Sequence, residues 1–570
     1  TPATLLVVDH AGEAFATDVL RDVVRRAPGS RWLVGGPERL GVVAEVGYVV
    51  EALGDHDTGA RLFDQAAAAV DPSYDTCTGS EAQAIAAELN GNPLAIEIAA
   101  ACMTALRPLA LFDRLAAGRG PALRVLEVAL SMRSAAEIAV LSSLVVFQGA
   151  FTEAAAVHVS HATPEVLRRL HLSGLVQAFQ PLDAPGVLLS RLHPRVRDAL
   201  SELSPPEPDV YLRLAEWLTA RFDEWGELLW TQRAESVYAR MALERETLMA
   251  AIAHMQERPR LAAAELNLLA PLLEGAVRLA IWRGSVGPLL DPLERALQAV
   301  GMCLDADPIV AVRLFRTRGM AREHLGEFEA ALADLERAES LSERWAQPAE
   351  VARARFHVGR VQHAASRYDL ALTELRGALD GFEEVGLAFQ SAEARAELAR
   401  TALMVGDLAQ AAVEIDTAER DAESAAPWLI GTIEEIRALV LRRSGEHDAA
   451  RQAYDAALAV WTRIGRCDQA ALTRLQLALL LQGLGSLELA AELLTEAEGV
   501  ARRWGDSPRR GVVLTQLGLA QMEQGERDQA HRTFIQAVSA CRAGGDRAGQ
   551  GAAKGFMGLL HHLAGRLDEA

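Results

Sequence analysis

The sequence predicts a mostly α chain, in which a partial α/β region and a small mixed segment precede a long α-α superhelix. Three observations predict it. Half of the 570 residues are apolar while aromatics make up only 5%, and alanine is abundant, a composition suited to helices packed through small contacts. A pattern of small and large residues recurs every 39 or 40 positions through the second half. Short β-branched runs alternate with helical stretches only near the start.

Charge and composition exclude several function classes. There are 57 basic and 77 acidic residues, giving a net charge of −20, which argues against a general nucleic-acid coat. No apolar run approaches the ~20 residues that span a bilayer; the longest, 96–111, is broken by Glu97 and Arg107. No membrane partner is expected. Cys77, Cys102, Cys303, Cys467 and Cys541 are far apart and lack metal-ligand spacing, which reads as buried thiols in a reducing, cytoplasmic compartment. Lys554 is the only lysine, so no mechanism can use a lysine earlier in the chain.

The elements follow in order. Residues 4–9 (Thr-Leu-Leu-Val-Val-Asp) read as a buried parallel strand ending in an acid. A helix at 15–26 ends at Pro28-Gly29, a second strand covers 31–34, a third short run 48–50, and a helix 58–69. This is the β-α-β rhythm of a doubly wound sheet. Residues 80–101 read as helix, turn, helix through Gly91-Asn92-Pro93-Leu94-Ala95. Between 119 and 205 come helices at 135–146, 151–159 and 164–172, then two apolar runs across Asp183-Ala-Pro-Gly186 that read as a hairpin. Pro205, Pro206 and Pro208 mark a boundary. Residues 206–305 read as a helical connector without a period, carrying Trp217, Trp225, Trp230 and Trp282 and no evident site; Gly284, Leu293 and Ala296 suggest a decayed repeat.

The repeats occupy 306–570. A turn residue recurs at Gly326, Ser366, Gly406, Gly445, Gly485, Gly525 and Gly565. Seven residues before each stands Gly319, Gly359, Ala399, Ala438, Ala478, Gly518 or Gly558; five after comes alanine, the last being Ala570. Nine after come Leu335, Leu375, Ile415, Tyr454, Leu494 and Phe534. Glycine permits the tight turn of a helical hairpin, small residues let its backbones approach, and the large residue fills the space between. The order small, Gly, Ala, large, Ala resembles the tetratricopeptide repeat, stretched from 34 to about 40 residues. Such an array curves into a superhelix whose concave face is expected to bind a protein or peptide. The seventh unit stops as its second helix begins, and the chain opens on a strand, so the sequence reads as the C-terminal part of a longer protein. The histidines His357, His363, His447, His531, His561 and His562 fall at scattered offsets and are expected to be surface or core residues; Trp345, Trp461 and Trp504 near second-helix ends are expected to pack.

The motif Gly91-Asn92-Pro93-Leu94-Ala95 resembles the "G-x-P-L-A" signature of the signal-transduction ATPases with numerous domains (STAND), in the subgroup fused to LuxR-type, antibiotic-regulator, cyclase or kinase modules. The 4–9 strand resembles their Walker B strand, and 31–41 the following sensor strand. The resemblance implies a degenerate NTPase region at 1–118, a winged helix at 119–205, and a nucleotide switch. It implies Asp9 as the acid holding Mg²⁺, Pro93 near adenine, and His193, in Leu192-His193-Pro194, as a β-phosphate contact of ADP. This chain departs from the family: Pro37 stands at the sensor arginine, Pro194 replaces an aspartate, and no P-loop lysine is present. ATP or ADP with Mg²⁺ is therefore expected only in an intact protein, and this part is not expected to be catalytic. A winged helix also raises DNA through Arg168, Arg169, Arg191, Arg195 and Arg197, but in this family the segment packs on the ATPase core, so DNA is not expected as a partner. The alternative to the switch is a scaffold that binds proteins through its repeats and keeps a vestigial NTPase fold.

Overall fold

The computed structural model describes residues 5–8, 31–34, 56–70, 74, 80–104, 106–116, 121–180, 188–258, 260–283, 286–303, 305–422, 425–503, 507–543 and 546–563. The chain divides into two compact units, Thr1–Ser134 with Leu172–Leu175, and Ala135–His171 with Val176–Ala570.

In the first unit the strands β1 (Leu5–Val8) and β2 (Arg31–Val34) pair in parallel, Leu5 opposite Arg31 and Val8 opposite Val34. The expected helix at 15–26 and the run at 48–50 lie outside the described residues. Helices α1 (His56–Val70), α2 (Ser80–Glu88), α3 (Pro93–Ala101), α4 (Pro108–Ala116) and α5 (Pro121–Ser131) follow. The turn between α2 and α3 is made by Asn90 and Gly91, both at positive φ. The Asn92 side chain then accepts the Ala95 N–H at 3.1 Å, and Pro93 opens the helix where no amide donor is needed. An α/β nucleoside-triphosphatase core is not seen among these described elements.

The second unit begins with α6 (Ala135–Leu144), α7 (Glu153–Ser160) and α8 (Pro164–Leu172), and its strands β3 (Val176–Phe179) and β4 (Leu189–Leu192) form an antiparallel hairpin. Phe151 bridges to Ser190 at its edge, so the helix expected from 151 starts two residues later. After α9 (Pro194–Leu203), the connector comprises α10 (Pro208–Leu228), α11 (Ala234–Leu243), α12 (Arg245–Gln256), α13 (Ala263–Arg283) and α14 (Leu290–Met302). Leu293 and Ala296 of α14 are buried; Gly284 lies outside the described residues.

The repeats are helix pairs. First helices are α15 (Pro308–Leu325), α17 (Pro348–Ala364), α19 (Ala388–Val405), α21 (Pro427–Ser444), α23 (Cys467–Gly483), α25 (Ser507–Glu523) and α27 (Arg547–Leu563). Second helices are α16 (Phe328–Arg344), α18 (Tyr368–Glu384), α20 (Leu408–Asp421), α22 (His447–Arg463), α24 (Leu487–Arg503) and α26 (Arg527–Ala543). Residues 564–570, with Gly565 and Ala570, lie outside the described residues.

Each signature position has a physical reason. A Cβ on Gly319 would fall 2.7 Å from Leu335 Cγ, and one on Gly518 2.6 Å from the Phe534 ring. The small residue thus sets how closely the two helices of a hairpin approach, and the large residue nine after the turn fills that contact. Tyr454, Leu494 and Phe534 are fully buried there. At the turns the chain goes left-handed, which glycine accepts freely; Ser366 does so with φ at 61°.

Candidate functional site

First helices of neighbouring repeats lie edge to edge, and side chains link them into one row. The row starts in the connector. Glu274 on α13 accepts from Arg278 at 2.9 Å, from Arg313 at 3.1 Å and from Arg316 at 3.2 Å. Arg316, only 2% exposed, also reaches Glu350 on α17 at 3.1 Å. Burial alone would raise the Glu274 carboxyl, but the three arginines outweigh it and hold it far below the carboxylate range. Next along, Glu323 accepts from Arg360 at 2.7 Å and lies 3.4 Å from His357 Nδ1. Burial lowers the His357 pKa, so its ring favours the neutral form despite that carboxylate. His363 Nδ1 then meets Thr401 Oγ1 at 3.0 Å, joining α17 to α19.

Glu393 on α19 differs. No cation lies within ion-pair distance of it among the described residues, and burial raises its carboxyl to about 7, with Arg360 opposing and Glu397 adding to the shift. Glu435 on α21 accepts the Thr473 hydroxyl at 3.3 Å, and burial raises its carboxyl too.

The chemistry of the row changes along the array. Six residues before each small position stand Arg313, Arg353, Glu393, Thr432, Leu472 and Val512; one after it stand Met320, Arg360, Arg400, Leu439, Leu479 and Leu519. The row passes from ionic to aliphatic. Arg360 and Arg400 keep more than a third of their side chains exposed or nearly so, and Val512 is 43% exposed. The row thus combines a buried layer, with Arg316 and His357, and partly exposed side chains such as Arg360, Arg400 and Val512.

A second feature crosses this row. The connector segment between α10 and α11 returns to the junction of the third and fourth repeats. The Ala426 N–H donates to Trp230 O at 2.8 Å, Thr231 and Ala425 form an antiparallel bridge, and Trp428 Nε1 donates to Leu229 O at 2.9 Å. The Trp230 and Trp428 rings lie 5.2 Å apart. Tyr238 stacks on Trp282 at 3.7 Å, Arg466 sits 4.5 Å over Trp282, and Trp282 packs with Trp461 and Ile464.

The residues singled out in the sequence fare unevenly. Asp9 lies outside the described residues. Pro93 is an exposed first-turn residue of α3 in the first unit. His193 belongs to the second unit, half-buried before α9, where its carbonyl accepts from the Arg197 N–H at 3.0 Å. Among the described residues no group of His, Cys, Asp and Glu could hold a metal, and the sole lysine, Lys554, is on α27 of the repeats. Four of the five arginines considered for DNA have internal partners: Arg168 pairs with Glu165 at 2.7 Å, Arg169 with Glu137 at 3.4 Å, Arg191 covers the Phe179 ring, and Arg197 donates to Gln148 O at 2.7 Å.

Several expectations are corrected. The connector, uninformative about sites in the sequence, supplies Glu274, Arg278, Trp230 and Trp282 to these contacts. Trp461 packs against Gly431 as expected, but Trp345 is 50% exposed; Trp504 lies outside the described residues. Of the thiols, Cys102 is buried and pushed up to about 11 by that burial, whereas Cys467 is exposed. His357 is a buried member of the ionic row, which its irregular offset gave no sign of.

Known proteins bear on the fold. The tetratricopeptide repeat family model matches residues 429–503, across the fourth and fifth repeats. The chain is similar to a crystal structure from Pyrococcus horikoshii described as a Signal Transduction ATPase with Numerous Domains (STAND) protein with a tetratricopeptide repeat sensor. Identity is 15%, the TM-score 0.55, and the match covers 98% of this chain and 78% of that one. Weaker likenesses, each with a TM-score of 0.43 over 62% of this chain, are to the apo form of the quorum sensor NprR from B. thuringiensis (14% identity, 96% of that chain) and to a Rap protein complexed with Competence and Sporulation Factor (15% identity, 99% of that chain). No curated protein sequence matches the chain. The repeat half is thus a tetratricopeptide-like superhelix, and among the described residues no helix is long and apolar enough to cross a membrane.

Proposed function

We propose that the protein is a signal-transduction regulator whose repeat superhelix binds a protein or peptide along the first-helix row, on its concave face. The observation that carries this is the change of the row from Arg313, Arg353 and Arg360 to Leu472, Leu479 and Leu519 within one regular frame. A surface serving only to hold repeats together has no need of half-exposed leucines and a valine at one end and half-exposed arginines at the other. The partner that fits is a segment with one charged and one apolar portion, held by charge-assisted hydrogen bonds at the first and by burial at the second.

The resemblance to STAND proteins supports a regulatory setting, in which a switch region and a winged helix at 119–205 report occupancy of the repeats. A nucleotide switch with a P-loop would need a lysine at its phosphates, and the sole lysine of the sequence is Lys554. The alternative, a scaffold without a switch, keeps the same binding surface.

The experiment is selection of a random 12-residue peptide library on the 570-residue chain, followed by titration of the best binder. Arg400→Ala at the charged end and Leu479→Ser at the apolar end should each weaken binding about tenfold or more, while Arg168→Ala should leave it unchanged. Selection of no binder, or equal affinity in all three variants, would refute the reading.

A further inference from the structure

We infer that residues 229–238 form a displaceable clasp, an internal occupant of the row at the third-to-fifth repeats, which a partner must replace to bind along the row's full length. The inference rests on the reading that the row binds a partner, and it concerns how that binding is regulated.

The clasp engages the repeats as a docked peptide would. It offers main-chain groups to an unpaired stretch, through the Ala426–Trp230 hydrogen bond and the Thr231–Ala425 bridge, the way an added strand is recognised. It anchors aromatic rings, Trp230 against Trp428 of the repeats and Tyr238 on Trp282 of the connector, over which Arg466 of the repeats also sits. Ring and backbone contacts of this kind dominate docking energies. The bond between Trp428 and Leu229 closes 199 residues of chain, so the docking of the clasp is a tertiary contact, whereas its own turn is held by local bonds such as Thr231 N–H to Leu228 O.

The seam is also built to open. Leu229 is buried, but Trp230, Thr231 and Trp428 are only half-buried, unlike the fully buried Tyr454 and Leu494 of the hairpin cores. Half-buried contacts held by few backbone bonds belong to the regions that open locally at low cost. The clasp lies where the ionic part of the row, ending near Glu393 and Glu435, gives way to the aliphatic part starting at Leu472. A ligand spanning both parts meets it. A partner that displaces it has the same chemistry: a turn that offers main-chain carbonyls, flanked by a tryptophan or tyrosine.

The test uses a fluorescein-labelled synthetic peptide of residues 226–240 and the whole chain. In wild type the tethered clasp competes at high effective concentration, so the peptide should bind poorly. In Trp230→Ala the site is vacated, and the peptide should bind about tenfold tighter or better; the same peptide carrying alanine at its tryptophan should not. Because Trp230→Ala could disturb folding, a second variant locks the clasp instead. Thr231→Cys with Ala425→Cys places thiols at bridged positions, where a disulfide fits. With Cys467→Ser as background, oxidation should weaken the library-selected peptide about tenfold, and reduction should restore it. Equal binding of the 226–240 peptide by wild type and Trp230→Ala, or unchanged affinity on oxidation, overturns the clasp. Either result leaves the partner-binding reading standing if the selected peptide still depends on Arg400 and Leu479.

Discussion

Two stretches of the same array, the first three repeats and the fifth and sixth, share one backbone frame and differ in what lines it. In the first three, the row is ionic: Arg316 between Glu274 and Glu350, then Glu323, His357 and Arg360. In the fifth and sixth, the same register carries Leu472, Leu475, Leu479 and Leu519, and Leu475 joins Tyr454 and Leu494 in one apolar cluster. The difference separates what the repeat needs from what the row offers. The hairpin needs the small residue, the left-handed turn and the large filler, which both stretches keep. The row is free of those demands and so can carry binding chemistry. Buried ion pairs contribute little net stability over apolar packing, so the ionic stretch adds little to folding that apolar side chains would not.

The comparison can be broken where its two halves fail differently. The largest effect should come from Glu274→Ala, which leaves Arg316 and its neighbouring arginines without their shared carboxylate. Stranding a buried charge costs about 3–5 kcal/mol, read by chemical denaturation. In the apolar half, Leu494→Ala should cost about 3 kcal/mol through lost transfer energy and the cavity left behind. A loss well below this for Glu274→Ala would mean the ionic row is wetter than its geometry implies.

The pH dependence sharpens the contrast, because only the ionic half carries titrating groups in its row. Glu393 is raised from 4.5 to about 7 in the folded chain. The folded state therefore holds its proton more tightly than the unfolded state does. Its penalty is absent below pH 4.5, grows through the window from 4.5 to 7, and is complete above it. Glu393→Gln should match wild type at pH 4 and exceed it by about 1–2 kcal/mol at pH 8, after discounting for screening by solvent. Equal stability at both pH values would remove Glu393 from the list of buried carboxylates. The smallest effect belongs to the shared frame. Ser366 holds the left-handed turn that glycine holds in the neighbouring repeats, so Ser366→Gly should stabilise by about 0.5–1 kcal/mol, seen as a small rise in Tm.

The frame was legible in the sequence and the binding chemistry only partly so. Gly319, Leu335 and their counterparts recur because the same steric contact recurs in every hairpin, and a contact repeated at fixed spacing leaves a periodic trace. The helix pair around Asn90 to Pro93 was equally legible, since capping and a first-turn proline are local. The ionic row leaves no such trace. Arg316 is defined by Glu274, 42 positions earlier in a connector without a period, and His357 by a carboxylate in the preceding repeat. The clasp is less legible still, because Leu229 and Trp428 meet across 199 residues and the connector tryptophans look like ordinary core residues. Asp9, Pro93 and His193 were singled out by family resemblance alone; Pro93 and His193 fall in different units, and Asp9 lies outside the described residues.

The most direct test of partner binding by the first-helix row is amide hydrogen exchange on the 570-residue chain with and without the library-selected peptide. Slowed exchange should appear in Pro348–Ala364, Ala388–Val405 and Cys467–Gly483, with faster exchange at residues 229–231 as the clasp leaves. Protection confined to Thr1–Ser134, or to second helices such as Tyr368–Glu384, would contradict it.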